Sequence, residues 1–218
     1  MNNHLPNFCI WDFNGTILND VRTGIDSVNY LLRERDLPLI ENEERYREIF
    51  RFPIQDYYRR LGFDFEKEPY EVIAPLWVEQ YLARVSDAPL YDDVKKTLDR
   101  FRALGIRQVI LSATERSMLL GQLSSLELLD YFEEVMGLDN IHAASKLSLA
   151  EDFRGRHPND RAIFLGDTDH DVETARALGA DCYLIARGHQ SEKYLKGLGV
   201  PTFQTLTDFY NSIFGGVS

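Results

Sequence analysis

The sequence predicts an α/β protein: a doubly wound, Rossmann-like parallel sheet interrupted once by a helical insertion. Three observations carry that reading. Five short, nearly continuous apolar and β-rich runs stand out, at residues 8–13, 108–113, 134–138, 162–167 and 182–186. Strands buried on both faces have this continuity, whereas half-exposed strands alternate. Most gaps between the runs hold apolar residues at helical spacing, and strand–helix–strand in repetition builds a parallel sheet. The first gap, by contrast, is far longer than the dozen or so residues a crossover needs.

In chain order, the first run is FCIWDF, four apolar residues leading straight into Asp12, with Asn14-Gly15-Thr16 following at once. The long gap after it carries no strand signal but several helices' worth of 3.6-residue pattern: Ile25, Val28, Leu31 and Leu32, then Tyr46, Ile49 and Phe50, then Val72, Leu76 and Tyr81. These boundaries divide the chain into an α/β core domain, residues 1–17 and 90–218, and an inserted helical cap-like domain, residues 18–89. Val94, Leu98, Phe101 and Leu104 then recur at helical spacing before Gly105, as Val172, Ala175 and Leu178 do before Gly179. Glycine just past the last periodic residue is a helix C-terminal signal.

Composition narrows the function classes. With 24 basic and 35 acidic residues the net charge is −11, which argues against nucleic acid or an anionic membrane as partner, since either wants a basic face. A small anionic substrate is still compatible, because a bound cation reverses the local field. No apolar run approaches the ~20 residues that span a bilayer, and MNNHLPN has neither the basic start nor the apolar middle of a signal peptide. Cys9 and Cys182 each sit in an apolar stretch and read as buried thiols. The expectation is a cytoplasmic protein, monomer or homodimer, acting on a small molecule.

In a parallel sheet, ligands bind beyond the carboxyl ends of the strands. Asp12 and Asn14-Gly15-Thr16 follow the first run, Ser112-Ala113-Thr114 close the second, and Gly166-Asp167-Thr168-Asp169-His170-Asp171 follow the fourth. Acids at two of these ends and a hydroxyl at a third would converge on one edge. Clustered carboxylates repel unless a cation sits among them, and Mg2+ is the natural candidate, as a hard cation with oxygen ligands.

These residues resemble the motifs of the haloacid dehalogenase superfamily, in its phosphoglycolate-phosphatase-like branch. DFNGTILND looks like the first motif, VILSAT the second, Lys146 in AASKLSLA the third and FLGDTDHDVETARALGA the fourth, while the helical insertion matches the family's cap. The resemblance implies a Mg2+-dependent phosphatase for a small phosphorylated metabolite. Asp12 would be the nucleophile that forms an aspartyl-phosphate. Asp12, the Asn14 carbonyl and Asp167 would hold the metal, with Asp171 beside them. Ser112 and the backbone of Ala113 and Thr114, at what reads as a helix N-terminus, would bind phosphate together with Gly15 and Thr16. Lys146 would neutralise the nucleophile and the developing phosphoryl charge.

One position departs from the family pattern. Where the first motif usually has a second Asp, acting as general acid and base, this chain has Asn14. An amide donates a hydrogen bond but cannot shuttle a proton, and losing a general acid/base costs ~10²–10⁴-fold in rate. A leaving group that needs no proton, such as an aryl or acyl phosphate, would suffer least. Asn-Gly is also prone to deamidation, which would restore the acid. The alternative reading is therefore a weak or inactive relative that binds phosphorylated ligands or a protein partner.

Each residue also has a plainer reading. Asp12 before Asn-Gly suits a turn or helix cap, and only its combination with the fourth motif makes a site. Lys146 would alone be a solvated lysine opening a helix. Arg51 is the choice for a specificity contact to an anionic group beyond the phosphate, and Tyr57 and Tyr58 are packing residues. His170 is placed at the site rim and His157 on the surface. A phosphonatase-like reading would need a cap lysine for a Schiff base, and Lys67 is the only lysine between residues 17 and 94.

Overall fold

The computed structural model describes residues 5–138 and 146–216. Residues 1–4, 139–145 and 217–218 lie outside that description, and with them the Ala143-Ala144-Ser145 lead into Lys146. The chain opens with β1 (Phe8–Trp11) and then runs through four helices: α1 (Val21–Arg33), α2 (Glu43–Ile49), α3 (Ile54–Arg60) and α4 (Tyr70–Leu82). After α5 (Val94–Ala103) it alternates: β2 (Arg107–Glu115), α6 (Arg116–Ser125), β3 (Glu134–Leu138), α7 (Lys146–Arg156), β4 (Ala162–Gly166), α8 (Asp169–Leu178), β5 (Asp181–Ile185), α9 (Glu192–Lys196), β6 (Thr202–Phe203) and α10 (Leu206–Phe214).

All six strands pair in parallel, in the order β3-β2-β1-β4-β5-β6. β1 is central, with Ile10 opposite Val109 of β2 on one side and Phe164 of β4 on the other. Its four residues are fully buried because alternate side chains feed separate cores. Cys9 and Trp11 pack with Phe101 and Phe209 on one face, and Phe8 and Ile10 with Phe153 and Phe164 on the other. Strand order reverses at β1, so the carboxyl ends of β1, β2 and β4 meet at a topological switch point.

Residues 21–82 hold their own apolar cluster, among them Val28, Leu32, Tyr46, Tyr57 and Ile73. The two connections to this helical segment run side by side: Leu18 forms an antiparallel bridge with Leu90, and the Asn19 N–H donates to the Pro89 carbonyl at 2.8 Å. Trp77 packs against both this cluster and the sheet's.

Three expectations need correction. The sheet has a sixth strand, β6, whose two residues are too short to show any period. In α4 Tyr81 is buried as the pattern predicts, but Val72 and Leu76 are exposed and Ile73 is the buried residue of the first turn. And β2 continues through Ser112-Ala113-Thr114 to Glu115, with a register shift against β3 between Leu111 and Glu115. No helix begins at Ser112. α6 starts at Arg116, and its first N–H groups at Ser117 and Met118 are taken by the Glu115 carboxylate.

Candidate active site

Asp12, one residue past β1, and Asp167, one residue past β4, are brought to one cavity with Asp171 from the first turn of α8. All three carboxylates are buried, and one oxygen of each lies within 4.8 Å of the others. Lys146, the first residue of α7, reaches between them: its Nζ donates to Asp12 Oδ1 and Asp171 Oδ1, both at 2.5 Å. Asp171 Oδ2 accepts from the N–H groups of Asp167 (3.0 Å) and Thr168 (2.9 Å) and from the Thr168 hydroxyl. Both oxygens of Asp171 are thereby engaged in capping α8 and aiming Lys146. Asp12 and Asp167 are the acids better placed to face a cation.

Two glycines let Asp167 fit. A Cβ on Gly15, whose φ is +73°, would lie 2.3 Å from Asp167 Oδ2, and one on Gly188 would lie 2.0 Å from it. Asp167 Oδ2 accepts the His189 N–H at 2.6 Å, and Oδ1 accepts the Thr16 hydroxyl at 3.3 Å. Gly15 and Thr16 thus pack behind the site as supports, and neither lines the cavity.

Burial sets the proton affinities. It pushes the Asp12 carboxyl up despite Lys146, with Asp171 and Asp167 adding repulsion. It raises Asp167 to about 6 against the opposing pull of His189. Asp171 goes the other way: burial would raise it, but Lys146 and the hydrogen bonds from Thr168 hold it down. For Lys146, burial is outweighed by Asp12 and Asp171, which keep the ammonium charged.

Asn14 lies at the cavity wall with its amide fully tethered. Its Nδ2 donates to Asp20 Oδ2 (2.9 Å) and to the Tyr81 hydroxyl (2.7 Å), and its Oδ1 accepts from the Thr114 hydroxyl (2.8 Å). Thr114 also receives a bond from Ser112 Oγ at 3.1 Å, so Ser112, Thr114, Asn14 and Asp20 form one chain of hydrogen bonds. Ser112, Ala113 and Thr114 all line the cavity, as placed from sequence. The Gly15 N–H, the atom that would close a deamidation ring on Asn14, is held by Asp20 Oδ1 at 2.9 Å.

Asp20 and His189 join the site without a signal in the sequence, and Tyr81, expected only as a packing position, joins it as well. His189 Nε2 lies 3.3 Å from Asp20 Oδ1, and its Nδ1 lies 2.9 Å from the Tyr46 hydroxyl. Burial would lower the imidazole, but Asp20 first and Asp167 next raise it to about 9. His189 lies in the loop that follows β5.

Five other expectations resolve simply. His170 lines the cavity, with the Phe52 ring tilted beside it at 5.0 Å. Tyr57 and Tyr58 are buried as packing residues, and both also line the cavity. His157 is half-buried against Phe8 and Phe153 instead of lying free on the surface. Arg51 is not at the site: its guanidinium lies over the Tyr194 ring at 3.7 Å and donates to the carbonyls of Arg47 and Phe50. Those neutral partners hold its guanidinium outside the cavity lining, so the substrate contact expected of it is not made in this arrangement. Lys67 is exposed, pairs with Asp64 and does not line the cavity, so the Schiff-base reading has no support there.

A divalent cation fits this donor set. Asp12, Asp20, Asp167 and Asp171 are buried together; among the described residues Lys146 and His189 are the basic side chains paired with them, while burial and Lys146 hold the nearby His170 toward its neutral form, so two negative charges go uncompensated. Buried charge of that size requires a counter-ion or bound protons.

Comparison with known proteins gives the family. Residues 9–185 match the family described as haloacid dehalogenase-like hydrolase. A phosphoglycolate phosphatase of Caulobacter vibrioides is 22% identical over 84% of this chain and 80% of its own length. Another from Nitrosospira multiformis is 25% identical over 82% of each. Among solved structures, a haloacid dehalogenase-like hydrolase from Streptococcus pneumoniae superposes with a TM-score of 0.79 at 18% identity, covering 95% of this chain and 98% of that one.

Proposed function

The chain belongs to the haloacid dehalogenase-like hydrolases, and from that premise we propose that it is a Mg2+-dependent phosphatase that hydrolyses a small phosphorylated metabolite through an aspartyl-phosphate. The observation that carries this reading is the buried group of Asp12, Lys146, Asp167 and Asp171 at the switch point of the sheet. Asp12, the Asn14 backbone carbonyl and Asp167 would hold the cation. When bound, it supplies charge neutralisation for the phosphate oxygens and for the acids themselves.

The chain's own residues do the rest. Lys146 fixes Asp12 Oδ1, which sets the direction of the second oxygen toward phosphorus. That oxygen attacks, an O–P bond to Asp12 forms, and the P–O bond to the leaving group breaks. Ser112 Oγ and the backbone around Thr114 stand beside the nucleophile to bind phosphate oxygens. In the second step water attacks phosphorus and the Asp12 carboxylate is released. Residues 18–89 act as a cap that shields these steps from bulk water, and the paired connections at Leu18 and Leu90 support a hinge there. A cytoplasmic location suits the two free thiols, Cys9 and Cys182.

The test is phosphate release from acetyl phosphate and p-nitrophenyl phosphate with and without Mg2+. The expected result is metal-dependent turnover that chelation removes and Asp12→Asn abolishes. Metal and phosphate binding with no turnover by the native protein would instead establish the binding-protein reading that Asn14 raises.

A further inference from the structure

The cavity beside Asp12 measures about 370 Å³, within the range of sites that hold a small organic ligand. Phosphate at Asp12 would occupy only its polar end. The remainder is walled by Phe50, Phe52, Tyr57, Trp77 and Met118. The rings are already arranged against one another: Phe50 lies 5.6 Å from Phe52 and 5.1 Å from Tyr57, and Trp77 stacks on Tyr81 at 4.9 Å. Tyr57 is 3% exposed, and its hydroxyl has no hydrogen-bond partner among the described residues. That wall therefore offers aromatic contact and a hydrogen bond to a ring substituent.

What the wall lacks is positive charge. Among the described residues, Lys146, His170 and His189 are the basic side chains that line the cavity; Lys146 and His189 are paired with carboxylates, and burial and then Lys146 hold the His170 imidazole below its ordinary value, toward the neutral form. Arg51 is turned onto Tyr194. A leaving group that carries its own carboxylate, as glycolate does, would be buried beside acids with no cation to meet it. The polar end sets a second condition. Asn14 spends its amide on Asp20, Tyr81 and Thr114, and it has no proton to give to a departing oxygen. A phenol, with a pKa near ~10, leaves as phenoxide without that proton far more readily than an aliphatic alcohol does.

We propose that the substrate is an aryl phosphomonoester: a phosphate carried on an uncharged body of one or two aromatic rings. This rests on the phosphatase reading of the same site. Asp12 forms the bond to phosphorus, the phosphorus–oxygen bond to the ring breaks, and the electron pair leaves on the phenoxide. Water then displaces Asp12, and its protons end on phosphate and the phenol, so one water is consumed for each phenol and phosphate released.

The test compares kcat/KM in Mg2+ for 2-naphthyl phosphate, phenyl phosphate, acetyl phosphate and phosphoglycolate. Naphthyl phosphate should exceed phosphoglycolate at least ~10-fold and also exceed phenyl phosphate, whose leaving group is similarly acidic but smaller. Phe52→Ala, at a position 40% exposed and so tolerant of truncation, should lower the naphthyl-to-acetyl preference on the order of tenfold. Turnover of acetyl phosphate with no gain from phosphoglycolate to phenyl to naphthyl would overturn the aryl assignment and leave the phosphatase reading standing. No turnover of any of the four, with no binding of orthovanadate, would remove the phosphatase reading and this inference together.

Discussion

Asn14 differs from an aspartate by one atom, and the structure shows what that atom decides. Its Nδ2 sits 2.9 Å from Asp20 Oδ2. An Asp at position 14 would put two carboxylates at that distance, and such a pair cannot both ionise. Asn14→Asp should therefore create a carboxyl that keeps a proton near neutral pH. That proton is what an alkyl leaving group needs. Turnover of an alkyl phosphomonoester should rise ~10²-fold or more, with a smaller gain for phenyl phosphate and a lower melting temperature. Adding Asp20→Asn to the variant restores a donor–acceptor pair and should recover the melting temperature. Equal gains for alkyl and aryl esters in steady-state assays would show that position 14 does not govern leaving-group protonation. Much of this site was legible in sequence because its acids follow strand ends, where spacing alone gives their place. Asp20, Tyr81 and His189 were not, because their role depends on a helix, a loop and the insertion meeting in space, and no local pattern encodes that meeting.

At the scale of elements, the helical insertion is docked on the core through α2. Arg47 donates to the carbonyls of Gly188 at 2.8 Å and Arg187 at 2.9 Å, and its own carbonyl accepts the Ser191 N–H at 3.2 Å. Tyr46, one residue earlier, meets His189. These contacts tie α2 to the loop that carries Gly188 and His189 against Asp167. Arg47→Ala removes both side-chain bonds, each worth about 1 kcal/mol or somewhat more for a charged donor. The closed arrangement should lose on the order of tenfold in population, so KM rises several-fold while kcat changes little. Faster proteolysis of the 18–89 segment in the variant is the independent sign of opening. The elements themselves were readable where hydrophobic period was strong, as in α1 with Ile25, Val28, Leu31 and Leu32 all buried. Reading failed where it was weak. α4 is apolar on several sides, so exposed Val72 and Leu76 looked as core-like as Ile73. β2 runs past Ser112 because a register shift against β3 extends the strand, an effect of pairing that its own sequence does not carry.

For the molecule as a whole, the buried charge at the switch point couples stability to pH and to metal. Asp167 has a folded-state affinity raised to about 6, chiefly by burial, and Asp12 is raised by the same cause. His189 is raised to about 9 because Asp20 and Asp167 outweigh its burial. A raised group binds its proton more tightly folded than unfolded, so its contribution is complete below the unfolded pKa and is lost as pH climbs through the folded one. For Asp167 that loss falls between about 4 and 6, and for His189 between about 6.5 and 9. Asp20 and Asp171, both lowered, act in the opposite sense and weaken the fold only in acid. The metal-free protein should therefore melt at progressively lower temperature from pH 5 to pH 8. A divalent cation competes with those protons for the same carboxylates and replaces the stabilisation they gave. Millimolar Mg2+ should raise the melting temperature by several degrees at pH 8 and by little at pH 5, where protons already occupy the site. Asp167→Asn removes a carboxylate from the cluster and should flatten both the pH slope and the Mg2+ response in the same melts. A Mg2+ shift of equal size at both pH values would place the cation away from these acids.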